Sequence, residues 1–162
     1  MIEVLFLLFA AIALGAAVNV LAQKHVLYSS LSLIVLLTAI SGLFILMQAE
    51  FLAVINVIVY AGAIMVLFVF VIMLLNLPAD EDGEDRLRWL KLIGIPMGLF
   101  LSFMVIRTVW DVRATPLTPE LAGTPQAIGA SLFTDYVLPF ELTSLLILIA
   151  LMGAVVFAKK DL

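Results

Sequence analysis

Long apolar runs, separated by short polar breaks, dominate the pattern of residues along this chain. Three uncharged runs come first, at about 4–22, 26–47 and 51–75. A helix needs about 20 apolar residues to cross the roughly 30 Å hydrocarbon core of a bilayer. The pattern therefore predicts three membrane-spanning helices. The third, about 37 Å long, is expected to tilt or to depart from ideal geometry.

Two further spans are predicted in the second half of the chain. The first, at about 92–110, contains Pro96 and includes Arg107, whose side chain can extend to the interface. Neighbouring helices can satisfy the carbonyl that the proline leaves without a donor. The second, at about 137–158, reaches full length only when Glu141 is included. The expected fold is an all-α integral membrane protein, a single membrane domain of five transmembrane helices.

The connections between the predicted spans differ in length and charge. Three residues join each of the first two pairs, whereas the third connection, at 76–91, is acidic. The fourth, at 111–136, is rich in proline and glycine, which predicts an irregular loop with a short helix near 127–133. In a five-span arrangement six lysines and arginines lie on one side and two on the other. The positive-inside rule therefore places the C-terminus and the acidic loop in the cytoplasm and the N-terminus opposite.

Composition agrees with a membrane protein and excludes several classes of function. Of the 162 residues 65% are hydrophobic and 12% charged, unlike a soluble domain. Without cysteine and with a single histidine, the chain cannot build a thiolate metal site, an iron–sulfur cluster or a bis-histidine haem. It has no basic patch, phosphate-binding glycine loop or nucleophile elbow. Neither nucleic-acid binding, nor a metal site, nor a catalytic residue is predicted.

The third span carries three residues that are unusual in hydrocarbon: Asn56, Tyr60 and Gly62. In a regular helix Asn56 and Tyr60, four residues apart, share one face, with Ala53 and Ala63 near it. Such a face can hold neighbouring helices together, or its amide and phenol can bind water along a buried path. Gly62 weakens the helix where this face ends, and an extra residue there would form a π-bulge, which is frequent at functional sites.

Glu141 and three serines of the second span are further polar residues within the predicted spans. Pro139 suits the first turn of a helix, so Glu141 is expected in that turn, beside the positive end of the helix dipole. A carboxylate near the membrane equally indicates a functional role. Ser29, Ser30 and Ser32 are expected to donate hydrogen bonds to carbonyls of their own helix.

No charged residue lies inside the first three spans, although ion pathways through membranes are usually marked by such residues. The chain is therefore not expected to pump ions alone. Five helices with apolar surfaces and no polar cavity lining indicate a subunit of a larger bundle, in contact with lipid and other membrane helices.

Two stretches resemble a known family. "AEFLAVINVIVYAGAIMVLFVFVIMLLN", residues 49–76, resembles the third membrane helix of subunit J of respiratory complex I, the bacterial counterpart of mitochondrial NADH dehydrogenase chain 6. "IGASLFTDYVLPFELTSLLILIALMGAVVFAKK", residues 128–160, resembles the last helix of the same family, and the five-span plan also matches. The resemblance implies a multi-pass subunit of the bacterial inner membrane. Its implied partners are the quinone-module subunit, a small neighbouring membrane subunit and the antiporter-like subunits.

The resemblance also implies how the third helix acts. In the family this helix has a π-bulge around its tyrosine–glycine segment and changes between a bulged and a regular state, which moves side chains in or out of a water path. Many relatives have glutamine where this chain has the shorter Asn56. The implied residues are Tyr60, Ala61, Gly62, Ala63 and Val66 at the bulge, and Asn56, Phe68, Met73 and Glu141 in a proton path or in packing.

The expected function is that of a non-redox subunit of a proton-translocating NADH:quinone oxidoreductase. Such a subunit helps to couple quinone reduction to proton translocation through a switchable third helix. The resemblance implies that this chain binds no cofactor, and that quinone, NADH, FMN and iron–sulfur clusters bind elsewhere in the complex. Two alternatives remain open: a small independent permease or channel, and a purely structural spacer subunit.

Overall fold

The described part of the chain is almost entirely helical and contains no strand. The structure, a computed structural model, describes residues 1–75, 88–111 and 123–159, with the backbone alone at 88–93, 95, 110 and 111. The prediction of an all-α fold is confirmed. In chain order the helices are α1 (Ile2–Ala22), α2 (Val26–Leu46), α3 (Glu50–Leu75), α4 (Arg88–Asp111), α5 (Pro125–Thr134) and α6 (Val137–Ala158).

Four of the described helices, α1, α2, α3 and α6, are long and apolar enough to cross a membrane. Helix α4 has 24 residues, and the apolar stretch found among its described residues, Pro96–Val109, covers roughly 20 Å at 1.5 Å per residue. The described helices therefore support four of the five predicted spans by length and composition. The remaining predicted span, at about 92–110, corresponds to α4. Most of the acidic loop, up to residue 87, lies outside the described residues, as do Arg113 and Lys160.

Helices α1, α2 and α3 pack together through small side chains. Gly42 of α2 lies so close to α1 that a Cβ at this position would be 2.6 Å from the ring of Phe9. Small residues let helix backbones approach closely, which is how helices associate in lipid. The buried residues of the three helices are Ala13, Ala16, Ser30, Ser32, Ala39, Ser41, Gly42, Ala53, Asn56, Ala61, Met65 and Ile72.

The serines at the start of α2 make two kinds of hydrogen bond. The hydroxyls of Ser30 and Ser32 donate to carbonyls of their own helix at 2.8 and 2.9 Å, as predicted. The prediction is wrong for Ser29, whose hydroxyl donates to the Val20 carbonyl of α1 at 2.8 Å. The short connection at residues 23–25 brings the end of α1 beside the start of α2, and a carbonyl of the neighbouring helix therefore comes within reach.

A further hydrogen bond joins the same two helices, and a second one within the end of α1 positions its donor. The Asn19 side-chain amide donates to the Ser32 hydroxyl at 2.6 Å, and the Gln23 amide donates to Asn19 Oδ1 at 3.0 Å. Polar side chains that bond across a helix contact stabilise helix association in lipid. The α1–α2 hairpin is therefore held by polar contacts near its turn and by the Phe9–Gly42 contact further along.

Helix α5 lies in the connection before the last span, where a short helix is expected. The Thr124 hydroxyl caps it by accepting a hydrogen bond from the Ala127 N–H at 3.3 Å, and Pro125 occupies the first turn. Residues 135–136 then lead into α6, and Phe133 packs edge-to-face on Phe140 with ring centroids 5.2 Å apart.

Most of the apolar surface of the chain is exposed. The accessible surface is 14198 Å², whereas a compact soluble protein of this mass exposes about 8,000 Å². No described side chain of α4 is buried, and none of α6 is. Lipid or helices of other chains must therefore cover these surfaces.

Candidate functional site

The middle of α3 departs from α-helical geometry. Residues Asn56–Ile64 form a π-helix of nine residues between the α-helical segments Glu50–Ile55 and Met65–Leu75. At its C-terminal end the Met65 N–H donates to the carbonyl of Tyr60, five residues earlier, as well as to that of Gly62. Hydrogen bonds of this span define the π-helix, a rare conformation that is frequent at functional sites.

The local sequence favours this departure. Apart from two alanines, the segment NVIVYAGAI consists of asparagine, β-branched residues, a tyrosine and a glycine. These residues rank below alanine and leucine as α-helix formers, because they lose side-chain freedom or, for glycine, backbone freedom. The α-helical hydrogen bonds of this stretch are therefore weakly favoured, and tertiary packing can select another arrangement.

The spacing of the buried residues of α3 reflects the change from α-helical to π-helical geometry. Its buried residues, Ala53, Asn56, Ala61, Met65 and Ile72, follow one another at intervals of three, five, four and seven residues. Intervals of three, four and seven keep one face of an α-helix. An interval of five would turn an α-helix by about 140°, and it lies within the π-helical segment. The segment thus keeps Asn56 and Ala61 on the face that packs against α2.

The structure separates Asn56 from Tyr60. Asn56 is 8% exposed, whereas Tyr60 is 53% exposed. The expectation that both share one face is therefore wrong for the face that packs against α2, which includes Asn56 and Ala61 but leaves Tyr60 exposed. The small residue on the buried face is Ala61, and Ala63, expected near that face, is exposed.

Gly62 stands at a close backbone contact within the π-helical segment. A Cβ at this position would lie 3.1 Å from the carbonyl oxygen of Val57, five residues earlier. This separation is shorter than most contacts of a Cβ, so a side chain here would require the Val57 carbonyl to shift by a few tenths of an ångström. Glycine fits the segment because it has no Cβ.

The remaining predicted residues of α3 lie on its outer surface. Val66, Phe68 and Met73 are all exposed in this chain, and Gly62 is half-buried. The outer side of α3, which lipid or another subunit must cover, carries Tyr60, Val66, Phe68 and Met73 at different angles around the helix axis. The structure thus divides the predicted residues of α3 into a buried set, Asn56 and Ala61, and an outer set.

Glu141 lies on α6, which packs on α5. It is the fifth residue of its helix and not in the first turn, so the predicted place beside the helix end is wrong: α6 already begins at Val137. The dipole interaction falls off within the first turn and therefore explains Glu141 less well. Its side chain is exposed.

Metal ligands do not cluster in the described residues: no group of three or more histidines, aspartates or glutamates there could hold a metal ion. Ser41 of α2 is a further buried polar residue and is 3% exposed. Ser41 follows Ser30 by eleven residues, which is about three helical turns. This spacing in the sequence indicates that both serines lie on one face of α2.

Comparison with known proteins relates this site to a family. Residues 16–157 match the family described as NADH-ubiquinone/plastoquinone oxidoreductase chain 6, which covers the whole π-helical segment. The chain belongs to this chain 6 family. The resemblance to subunit J inferred from the sequence is thereby confirmed.

Members of the chain 6 family align with nearly the full chain. The NAD(P)H-quinone oxidoreductase chain 6 of Synechocystis sp. is 39% identical over 162 residues, covering 97% of this chain and 80% of the relative. The NADH-quinone oxidoreductase subunit J of Escherichia coli is 38% identical over 163 residues, covering 98% and 88%. The chloroplastic NAD(P)H-quinone oxidoreductase subunit 6 of Staurastrum punctulatum is 36% identical over 166 residues, covering 98% and 91%.

Proposed function

We propose that the chain is a membrane-arm subunit of a proton-translocating NADH:quinone oxidoreductase, respiratory complex I. Its family and the names of its relatives support this assignment. The exposed apolar surfaces of α4 and α6 also fit a subunit, because helices of other chains can cover them. The chain carries no redox centre, and quinone, NADH, FMN and iron–sulfur clusters bind in other subunits.

In this assignment the chain is a single membrane domain of five spans in the bacterial inner membrane. Helix α4 is the fourth span, with Pro96–Val109 in the hydrocarbon and Arg107 extending towards the interface. The C-terminus and the acidic loop face the cytoplasm, which the uneven distribution of lysines and arginines supports. The outer faces contact the quinone-module subunit, a small membrane subunit and the antiporter-like subunits.

The proposed coupling role is based on the π-helical segment of α3. We infer that this segment converts between π-helical and α-helical hydrogen bonding. In the α-helical state Tyr60 would lie about 40° from Asn56 around the helix axis. Val66, Phe68 and Met73 would turn with the C-terminal half of α3, opening or closing a hydrated path. A two-state element of this kind is what coupling between distant sites requires.

Glu141 is proposed to contact another subunit. It is exposed on an apolar helix, and carboxylates in membranes generally pair with a partner or line a water path. Its carboxylate would then receive a hydrogen bond or a positive charge from the neighbouring chain.

Purification in a mild detergent tests the assignment. An affinity-tagged chain should co-purify with a large complex that oxidises NADH and reduces quinone, and the isolated chain should not conduct ions in lipid vesicles. A chain that is stable alone and transports ions in vesicles would contradict the subunit role and support the permease alternative. The spacer alternative is tested by the α3 variants described in the Discussion.

A further inference from the structure

The side-chain amide oxygen of Asn56 is a buried acceptor that receives no hydrogen bond from the residues the structure describes. The residue is 8% exposed and begins the π-helical segment, on the face that packs against α2. Buried polar atoms nearly always have a hydrogen-bond partner in protein or water, since leaving one without a partner is unfavourable. Asn56 Oδ1 therefore requires a donor.

Ser41 lies at the same depth as Asn56 on the neighbouring helix. Helices α2 and α3 are joined by the short turn around Gln48, and Ser41 precedes this residue by seven positions while Asn56 follows it by eight. In two adjacent helices of opposite direction this difference of one residue corresponds to about 2 Å along the axis. The two side chains therefore belong to one level of the α2–α3 contact.

The position of Ser41 around the axis of α2 also places it at the contact with α3. Ser32 and Gly42 contact α1, and at 100° per residue they lie about 180° and 100° from Ser41. Ser30 lies only about 20° from Ser41, and the two serines are 2% and 3% exposed. Because α3 is the other helix that packs extensively on α2, it is the element that covers this side.

The Ser41 hydroxyl has acceptor capacity to spare. It donates its proton to the Leu37 carbonyl at 3.0 Å, and a hydroxyl oxygen that donates still has two lone pairs. Two acceptors, Asn56 Oδ1 and Ser41 Oγ, thus lie at one level between the helices. A water molecule offers two donors and suits such a pair, because buried waters bind where otherwise unsatisfied polar groups are available.

We propose that a buried water molecule binds between α2 and α3 and donates hydrogen bonds to Asn56 Oδ1 and Ser41 Oγ. The donor is small because a side chain of another subunit could reach Asn56 only by opening the α2–α3 contact. Bound there, the water ties α2 to the first residue of the π-helical segment. This site does not depend on the coupling role proposed above, since the contact within the chain defines it.

A density map of the intact complex, at a resolution that shows buried waters, tests the site directly. We expect a peak at about 2.6–3.2 Å from both Asn56 Oδ1 and Ser41 Oγ. The peak should be missing from the map of an Asn56→Leu variant, which has a similar volume and no acceptor. A protein donor at Asn56 Oδ1, or no peak where comparably buried waters are visible, would overturn the proposal.

A thermodynamic cycle in the intact complex gives an independent test. Asn56→Leu and Ser41→Ala should each lower the midpoint of thermal dissociation of this chain by about 2–4 °C. The double variant should lose little more than one single variant, because both bind the same water. Thr38→Val, which removes an exposed hydroxyl of α2 bonded to its own helix, is the control and should add its effect to that of Asn56→Leu. Additive effects of the Ser41 and Asn56 variants would overturn the proposal.

Discussion

Asn56 and Tyr60 are four residues apart in α3, yet Asn56 is buried against α2 and Tyr60 is exposed on the outer face of the helix. In an α-helix the two side chains would share one face. The contact with α2 covers the side of the π-helical segment that holds Asn56 and Ala61 and leaves Tyr60 outside it. Conversion to α-helical bonding would turn the residues after Asn56 about the helix axis, so the exposure of Tyr60 is expected to change with the state of the segment.

Tyr60→Phe removes the hydroxyl from the outer face of α3 and keeps the ring. We expect the complex to assemble normally, while quinone reductase activity and proton translocation fall together by about two- to tenfold. This range corresponds to the net contribution of one hydrogen bond, here the bond that the Tyr60 hydroxyl would make to water in the hydrated path. Both rates are measured in membrane vesicles. Tyr136→Phe, which changes an exposed tyrosine before α6, is the control. Full coupled turnover in the Tyr60 variant would contradict a role for the hydroxyl.

Substitution of Gly62 should bias the helix against the π-helical state. A Cβ would crowd the Val57 carbonyl at 3.1 Å, and alanine also favours the α-helix over glycine by about 1 kcal/mol. A bias of about 1–2 kcal/mol changes the ratio of two states by about 5- to 30-fold. Coupled turnover should therefore fall in Gly62→Ala and further in Gly62→Val, while assembly is retained.

Gly15 and Gly153 provide matched controls for the Gly62 series, because a Cβ at either position meets no described atom within 4 Å beyond its own helical turn. Gly15→Ala and Gly153→Ala should keep coupled turnover. If the Gly62 variants assemble and remain fully coupled, α3 does not switch, and the spacer alternative is favoured.

Gly42 and Phe9 should behave as a steric pair in the α1–α2 contact. Gly42→Ala places a methyl group 2.6 Å from the Phe9 ring, and overpacking of this kind costs about 1–3 kcal/mol. We expect less of the chain to be recovered in the purified complex and a lower midpoint of thermal dissociation. Phe9→Leu in the same chain should restore part of the loss, since it removes ring atoms from the contact. No rescue would mean that the two residues do not contact each other in the assembled complex.

The orientation of the chain can be mapped with single cysteines, because the natural sequence contains none. Gly83→Cys, in the acidic loop, should react with a membrane-impermeant maleimide only from the cytoplasmic side. Thr118→Cys, in the fourth connection, should react only from the opposite side. Labelling of this chain is followed through its affinity tag in right-side-out and inverted vesicles. Reaction of both cysteines from one side would show that α4 does not cross the membrane, and four spans would then replace five.

Several features could be predicted because they depend on composition along a single helix. The length of the apolar runs predicts α1, α2, α3 and α6, since only the thickness of the hydrocarbon enters. Thr124 and Pro125 mark the start of α5 through the local chemistry of a helix cap. The hydrogen bond from Ser29 to Val20 could not be predicted, because it depends on how the short connection places one helix end beside the next.

The amino-acid sequence decided that this chain is a set of apolar helices belonging to the chain 6 family, and that asparagine, tyrosine and glycine occur together in the third helix. Hydrophobic transfer and residue identity are properties of the chain and need no knowledge of packing. Only the tertiary structure decided which side of α3 each of these residues occupies. The register of α3 against α2 is set by the packing of Ala53, Asn56, Ala61 and Met65. The five-residue interval between the buried residues Asn56 and Ala61 goes with π-helical hydrogen bonds, which no regular α-helix contains.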